Sequence, residues 1–292
     1  MNEAPIKKRL FIILGLLALV GWSWLPSFGG AEGGSSACPE EVLCVVFLDV
    51  GQGDATFIQS PSGTQMLIDG GRSSVVLGEL GKVMGFWDKD IDYVVATHPD
   101  ADHVGGLIDV LERYEVKNVV RTENESDTPT WQTAEEGIST ENAEVYFARR
   151  GQIYDLDAGV SLEILFPDVD PSELESNTAS IVAKLSYGEV DFLLTGDSPK
   201  AIEEYLVLAE GEALQSEVLK VGHHGSRTST SEMFLNEVLP DYAVISAGAD
   251  NSYGHPHVEV TDMLFNYDVA TYSTAESGSV MFLTNGTDIE IR

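Results

Sequence analysis

The chain has 292 residues, of which 43% are hydrophobic, so it can form one large globular domain and is too apolar to be disordered throughout. Its 48 acidic and 16 basic residues give a net charge of −32, which works against non-specific binding to nucleic acid. This acidity does not exclude a nuclease, because bound metal ions supply positive charge locally.

The N-terminal region combines a basic cluster, Lys7 to Arg9, with an uncharged apolar run from Leu10 to Leu25. This layout is typical of a secretory signal or a short membrane anchor, and it predicts that the rest of the chain is extracytoplasmic. Cleavage stays open, so we expect membrane contact only if the segment is retained. We predict a signal peptide or anchor over residues 1–30, a Gly/Ser-rich linker over 31–41 and a folded domain over 42–292.

The two cysteines, Cys38 and Cys44, lie near the start of the predicted domain. They form a disulfide if this region is outside the cytoplasm. Two unpaired thiols, with Cys44 buried in a strand, fit the spacing equally well.

The domain is predicted to consist of short strands with interspersed helices. Strands are expected at 43–49, 55–59, 65–68, 91–96, 117–121, 145–148, 153–155, 160–166, 179–186, 190–195, 218–221, 242–246, 269–273, 279–284 and 288–291. Helices are expected at 74–85, 104–114, 199–209, 231–239 and 258–266. The acidic segment 122–137 predicts a surface loop with a short helix around Trp131. Strand-rich halves that each carry helices indicate two sheets packed together with helices outside.

The stretch from Thr97 to Gly106 holds four potential metal ligands, namely His98, Asp100, Asp102 and His103. An apolar strand precedes it and a helical apolar pattern follows it, so these side chains should leave a tight turn at a strand end. Imidazole and carboxylate groups suit zinc, manganese or iron. The alternative is that Asp102 simply caps the helix, but two His and two Asp at this spacing favour metal binding.

The histidines outside this turn form two further clusters, His223 with His224 and His255 with His257. Each cluster follows or neighbours a predicted strand end. Asp197 lies at the end of another strand, where it would either cap the next helix or bridge two metal ions.

The order of these motifs resembles the metallo-β-lactamase superfamily, and specifically the hydrolase domain of ComEC-type competence proteins. The matching stretches are Phe47–Asp54, Leu67–Gly71, Thr97–Gly106, Asn177–Ser180, Thr195–Asp197, Leu219–Ser226 and Tyr253–Pro256. The resemblance implies an α/β fold, a four-layer αββα sandwich with a two-metal site at one edge. The membrane-channel portion of ComEC has no counterpart in the match, so we expect a stand-alone secreted or anchored relative.

The resemblance also implies a ligand set. His98 and Asp100 correspond to ligands of a first metal, Asp102 and His103 to ligands of a second, and Asp197 to the bridging carboxylate. One of His223 and His224 completes the second site, and the sequence does not separate them. Asp102 and Asp197 are the expected catalytic residues, with Asp102 orienting the attacking water or accepting its proton.

Two positions depart from most of the superfamily, which has His where this chain has Asp100 and Asn177. A first site with fewer nitrogen ligands favours Mn²⁺ or weak occupancy. Asn177, Ser226, Asn251 and His255 are candidates for substrate contact, with loop structure as the alternative for the last three. Three further aspartates are expected to fix their own turns by bonds to the backbone: Asp49, Asp54 and Asp69.

One or two divalent ions, Zn²⁺ or Mn²⁺, would lower the pKa of bound water to about 7. We therefore predict a metal-dependent hydrolase, a phosphodiesterase or nuclease that acts on extracellular DNA during DNA uptake. The alternatives are hydrolysis of another ester, such as a teichoic-acid phosphodiester or a lactone, and a non-catalytic, metal-stabilised module that binds DNA or cell wall. No protein partner is evident from the sequence.

Overall fold

The computed structural model describes residues 36–292, which form two mixed sheets of eight and seven strands. The predicted signal or anchor over residues 1–30 lies outside the described residues. Across the described range, no helix is both long and apolar enough to cross a membrane.

The first sheet runs in the order β15-β14-β1-β2-β3-β4-β5-β6. Its strands are β1 (Leu43–Phe47), β2 (Thr56–Gln59), β3 (Gln65–Ile68), β4 (Asp90–Ala96), β5 (Glu115–Arg121), β6 (Glu144–Phe147), β14 (Val280–Thr284) and β15 (Ile289–Ile291). The strands from β15 to β3 pair antiparallel, and those from β3 to β6 pair parallel.

The second sheet runs in the order β13-β12-β11-β10-β9-β8-β7. Its strands are β7 (Ile153–Asp155), β8 (Val160–Phe166), β9 (Val182–Tyr187), β10 (Val190–Leu194), β11 (Val218–Lys220), β12 (Tyr242–Ile245) and β13 (Ala270–Ser273). Here the strands from β10 to β13 are parallel, and the others are antiparallel.

Helices cover the outer face of each sheet. The first sheet carries α1 (Val75–Val83), α2 (Ala101–Arg113) and α3 (Pro129–Thr140). The second carries α4 (Lys200–Glu210), α5 (Glu232–Val238) and α6 (Val258–Asn266), and a short α7 (Thr274–Ser277) follows β13. The predicted αββα sandwich is confirmed.

The sandwich has an apolar layer between the two sheets and one under each set of helices. In the middle layer Phe282 stands edge-on to Phe47 and Phe192, with ring centroids 5.8 and 5.9 Å away. Such rings add specific contact to the burial of their area. The inward-facing residues of both sheets therefore fix them face to face, and the helices are left free to present their outer faces to solvent.

Two sequence expectations differ from the structure. The ordered body begins before residue 42, because Ser36 Oγ donates to Val83 O at 2.7 Å and Cys38 is joined to Cys44 by a disulfide. Residues 36–41 are thus attached to the domain, while residues 31–35 lie outside the described range. The acidic segment after β5 contains a full helix, α3, capped by Thr128 and anchored by the buried Trp131. Only three buried residues mark its inner face, so the sequence pattern predicted a shorter helix than the structure has.

Candidate metal centre

The site lies where the carboxyl ends of parallel strands from both sheets meet. The turn Thr97–Gly106, here called the metal turn, follows β4 and begins α2. Asp197 follows β10, and the segment Gly222–Ser231, here called the histidine loop, follows β11. Because parallel strands end at one edge of a sheet, these segments converge there from both sheets.

Asp197 is the carboxylate that the imidazoles share. His98 Nε2 is 4.0 Å from its Oδ2, His224 Nε2 is 3.5 Å from the same oxygen, and His103 Nε2 is 3.3 Å from its Oδ1. It does not cap the next helix, whose N-cap is Pro199. Ligand atoms each about 2.1 Å from one ion lie at such separations from each other.

Two overlapping groups of atoms could each hold an ion. The first contains His98 Nε2 with Asp100 Oδ2 at 3.9 Å and Asp197 Oδ2 at 4.0 Å. The second contains His103 and His224 with Asp197, and Asp102 Oδ2 lies 3.5 Å from His224 Nε2. The metal turn thus supplies both groups, and Asp102 does not act as a helix cap, since the N-cap is Asp100 and makes no side-chain capping bond.

The fit to a cation is supported by buried polar atoms that have no hydrogen-bond partner among the described residues. These include His98 Nε2, His103 Nε2, His224 Nε2 and Asp197 Oδ1. An unpaired polar atom costs free energy when buried, and here four of them point at one small region. A divalent ion is the group that satisfies imidazole lone pairs and a carboxylate together.

Asp69 orients the first pair of imidazoles rather than only its own turn, which corrects the sequence prediction. Its carboxylate accepts hydrogen bonds from Thr97 N and Thr97 Oγ1, and its Oδ2 lies 2.8 Å from His103 Nδ1. Thr97 Oγ1 in turn lies 3.0 Å from His98 Nδ1. A carboxylate behind a ligating imidazole fixes its tautomer and leaves Nε2 for the metal.

Asp54 was also expected to bond the backbone of its Gly-rich turn, and this prediction was wrong. Its Oδ2 lies 2.7 Å from Lys220 Nζ and its Oδ1 3.1 Å from His224 Nδ1. Asp49 behaves as predicted, because Gly51 N donates to its Oδ1. A buried lysine in the apolar strand β11 was the sequence signal that could have indicated such a pair.

Glycines allow the metal turn to touch its neighbours through backbone atoms. A Cβ on Gly53 would lie 2.1 Å from Asp102 O, and a Cβ on Gly106 would lie 2.0 Å from Gly70 O. Hydrogen bonds run through the same contacts, from Gly70 N to His103 O and from Gly106 N to Gly71 O. The Gly-rich motifs therefore allow the close backbone packing that positions the metal turn against its neighbouring loops.

The two histidines of the histidine loop have different environments. Both have positive φ, 49° for His223 and 55° for His224, a conformation that costs free energy in non-glycine residues. His224 is buried, whereas His223 is part-exposed, lies 3.7 Å from Asp197 Oδ2 through Nε2 and contacts Thr228 Oγ1 through Nδ1. The geometry therefore puts His224 at the centre and His223 at its rim.

The four candidates for substrate contact also differ in their environments. Ser226 is buried and its Oγ accepts from Thr228, and Asn251 bonds Gly248, Tyr253 and His255, so both serve loop structure. This is the loop role that the sequence left open as the alternative, and substrate contact by either residue stays a prediction. His255 lines the cleft. Asn177 lies in a 3-10 turn after Ser176, which donates to Asp100 Oδ1, and Asn177 Oδ1 is buried without a described partner.

Charge interactions oppose burial in setting the protonation of this region. Burial alone would raise the pKa of Asp197, but His224 and His103 hold that pKa well below its usual range. Burial would lower the pKa of His103, yet Asp197 and Asp69 raise it well above its usual value. Burial, with help from His103, lowers the pKa of His98. The Asp197 carboxylate is thus kept ionised, as a metal ligand must be.

The centre opens to solvent through a cleft of about 120 Å³. Its lining residues are Gln52, Asp100, Asp102, Asp197, His223, His224, Tyr253 and His255. The ring of exposed Tyr253 stacks on His255 at 5.6 Å between centroids. Gln52, Tyr253, Lys220 and Thr97 were not among the sequence candidates. Gln52 and Tyr253 lie within two of the motif stretches, Phe47–Asp54 and Tyr253–Pro256, which marked the loops but not these side chains.

Comparison with known proteins agrees with this geometry. The model of the family described as "Metallo-beta-lactamase superfamily" matches residues 48–249. ComE operon protein 3 of Bacillus subtilis is 29% identical over 82% of this chain and 32% of its own length. Competence protein ComA of Neisseria gonorrhoeae is 30% identical over 91% of this chain and 36% of its own length. The chain therefore spans about a third of the length of these relatives.

Among solved structures, the metallo-beta-lactamase fold protein YhfI from Bacillus subtilis superposes with a TM-score of 0.54 at 11% identity. The match covers 83% of this chain and 100% of that one. At this level of identity the likeness concerns the fold alone.

Proposed function

The chain belongs to the metallo-β-lactamase superfamily of metal-dependent hydrolases, and from that premise we propose that it cleaves phosphodiester bonds of DNA outside the cytoplasm. The observation that carries the proposal is the convergence of three unpartnered imidazole Nε2 atoms on the shared carboxylate of Asp197, at the floor of an open cleft. A divalent ion held there would lower the pKa of a bound water and offset charge on a phosphodiester oxygen.

The protein groups have separate roles in this proposal. His98, Asp100 and Asp197 form the first ligand set, which is oxygen-rich and favours Mn²⁺. Asp102, His103, His224 and Asp197 form the second, whose two imidazoles suit Zn²⁺. Burial would raise the pKa of Asp102, but His224 and His103 lower it, so Asp102 is ionised and can accept a hydrogen bond from an attacking water.

Substrate would reach the ligands past His223, His255 and Tyr253 at the rim. The Tyr253 ring offers an aromatic face on which a base can stack. No Lys or Arg is among the described residues that line the cleft, so phosphate must be held by the bound ions and the rim histidines. Binding should therefore depend only weakly on salt, because few phosphates are neutralised by side chains.

An extracytoplasmic site of action is part of the proposal. The Cys38–Cys44 disulfide favours an oxidising compartment. The basic-flanked apolar run Leu10–Leu25 has the layout of an export signal or anchor. A relative named for competence supports a role at the cell envelope.

The test is cleavage of end-labelled single- and double-stranded DNA by the purified chain with Mn²⁺ or Zn²⁺. We expect cleavage by the wild type, its loss in Asp102→Asn, and its retention in Asp109→Asn, a carboxamide control two turns further along α2. Intact DNA after incubation with wild-type protein shown to contain metal would contradict the nuclease function.

A second candidate is hydrolysis of a smaller ester, such as a teichoic-acid phosphodiester or a lactone. Within this candidate, the lack of Lys and Arg in the described cleft lining and the net charge of −32 favour the lactone, which carries no phosphate charge. Turnover of a small-ester panel that is lost in Asp102→Asn, with no cleavage of DNA, would select this function.

A further inference from the structure

Asp54 lies close enough to the centre to be taken for a metal ligand. One atom each from Asp54, His103, Asp197 and His224 all lie within 4.8 Å of one another. Both oxygens of Asp54 are already engaged, however, Oδ2 by Lys220 Nζ at 2.7 Å and Oδ1 by His224 Nδ1 at 3.1 Å. Each oxygen of Asp54 therefore already has a protein partner that competes with an ion for its lone pairs.

Lys220 is a buried cation in an otherwise apolar strand. Its side chain is 3% exposed, and Nζ also donates to Val221 O at 2.9 Å. A buried ammonium is costly unless it is paired. Asp54 is the described carboxylate that pairs with it, so the two residues form a buried ion pair behind His224.

His224 is the group through which this pair reaches the metal ligands. Its Nδ1 faces Asp54 Oδ1 at 3.1 Å and Ser246 O at 3.0 Å, two acceptors that require a proton on Nδ1. The lone pair of neutral His224 is then on Nε2, which is buried and lies 3.5 Å from Asp102 Oδ2 and from Asp197 Oδ2. Asp54 and Ser246 O therefore determine the tautomer of His224, with the proton on Nδ1.

We propose that Lys220 holds Asp54 out of the coordination sphere, and that Asp54, so held, orients His224 as a metal ligand. Both are positioning residues, and the inference rests on the metal centre of the proposed function. Asp69 shows the contrast, because its partners are the neutral groups of Thr97 and the His103 ring. Asp54 and Asp69 each lie behind an imidazole, and of these two carboxylates only Asp54 is paired with a lysine.

The first experiment measures Zn²⁺ and Co²⁺ affinity by competition with a chelator. Asp54→Ala removes the charged acceptor behind His224 and leaves Ser246 O as the other acceptor of Nδ1, so we expect binding weaker by about 10- to 100-fold. The double variant Asp54→Asn/Lys220→Met keeps a neutral acceptor for Nδ1 and no longer needs a charge pair. We expect the double variant to bind metal about tenfold more tightly than Asp54→Ala.

The second experiment compares the visible absorption spectra of Co²⁺-loaded Lys220→Met and wild-type protein. Without the ammonium, Asp54 is free to turn an oxygen to the ion, so we expect a changed coordination spectrum. Lys184→Met is the matched control, because Lys184 also pairs with an aspartate and donates to backbone carbonyls, but lies away from the site. Its spectrum should equal that of the wild type.

Three results would overturn the inference. These are metal binding by Asp54→Ala equal to that of the wild type, binding by the double variant as weak as that of Asp54→Ala, and an unchanged spectrum for Lys220→Met. In each case the wild type must bind Co²⁺ in the same assay. A folded wild type that binds neither ion would instead contradict the proposed metal centre.

Discussion

The metal turn and the histidine loop bring imidazoles to one carboxylate, yet they are held by different means. The metal turn packs backbone against backbone, with Gly106 so close to Gly70 O that no Cβ fits. The histidine loop also makes backbone hydrogen bonds, from His223 N to Gly196 O and from Lys200 N to Thr228 O, but it depends in addition on the buried carboxylate of Glu203, which accepts from Thr230 N and Ser231 N. A close backbone contact leaves no room for an added atom, whereas the loss of one side-chain acceptor leaves the backbone hydrogen bonds of the loop in place.

Removing the carboxylate that both segments face should have the largest effect. Asp197→Ala takes one ligand from each proposed ion, so we expect hydrolytic activity to fall by more than about 100-fold. Metal content per chain should fall with it. Asp288→Asn, at an exposed position, is the control and should retain both. Full activity in Asp197→Ala would show that the two segments do not act through a shared group.

Gly106→Ala tests the backbone contact of the metal turn. The new Cβ would lie 2.0 Å from Gly70 O and 2.7 Å from Ser73 O, so we expect the free energy of unfolding to fall by about 3 kcal/mol. Gly78→Ala in α1 is the matched control, since its Cβ meets nothing within 4 Å. That variant should gain about 0.5 kcal/mol by helix propensity. Urea unfolding of both variants measures the difference, and equal stabilities would contradict the close contact.

Glu203→Ala tests the side-chain support of the histidine loop. It leaves two backbone N–H groups without their acceptor, so we expect the free energy of unfolding to fall by about 2 kcal/mol. Metal affinity should fall less than in Asp54→Ala, because the His224 ring keeps its own partner. Chemical unfolding and chelator competition give the two quantities. A metal affinity below that of Asp54→Ala would mean that the loop, rather than the ring contact, positions His224.

The disulfide provides a perturbation outside both segments. Cys38 and Cys44 are six positions apart, and opening so short a loop should lower the free energy of unfolding by about 2 kcal/mol. The double variant Cys38→Ala/Cys44→Ala should therefore melt earlier and bind metal with unchanged affinity. A loss of metal affinity would show that the disulfide at β1 also positions the metal ligands.

Local patterns predicted most of the elements and the metal turn. Strand periodicity and Gly-rich turns located the sheets, and four potential ligands within one turn indicated the metal site before any long-range contact was known. Helix α3 was predicted only as a short helix around Trp131, because Trp131, Ala134 and Ile138 are the only buried residues of a helix that lies in an acidic segment. For Ser226 and Asn251 the sequence left substrate contact and loop structure open, because a motif marks positions near a site without saying which atoms are already bonded.

The sequence by itself determined the sandwich and the chemistry available to it, because hydrophobic period and residue type are local properties. The tertiary structure decided which groups meet. Asp54 reaches His224 across 170 positions, and Asp69 reaches His103 across 34. No local pattern contains such distances, since they follow from how two sheets pack and from which strand ends share an edge. The difference between His223 and His224 arises in the same way, from burial that only the folded chain creates.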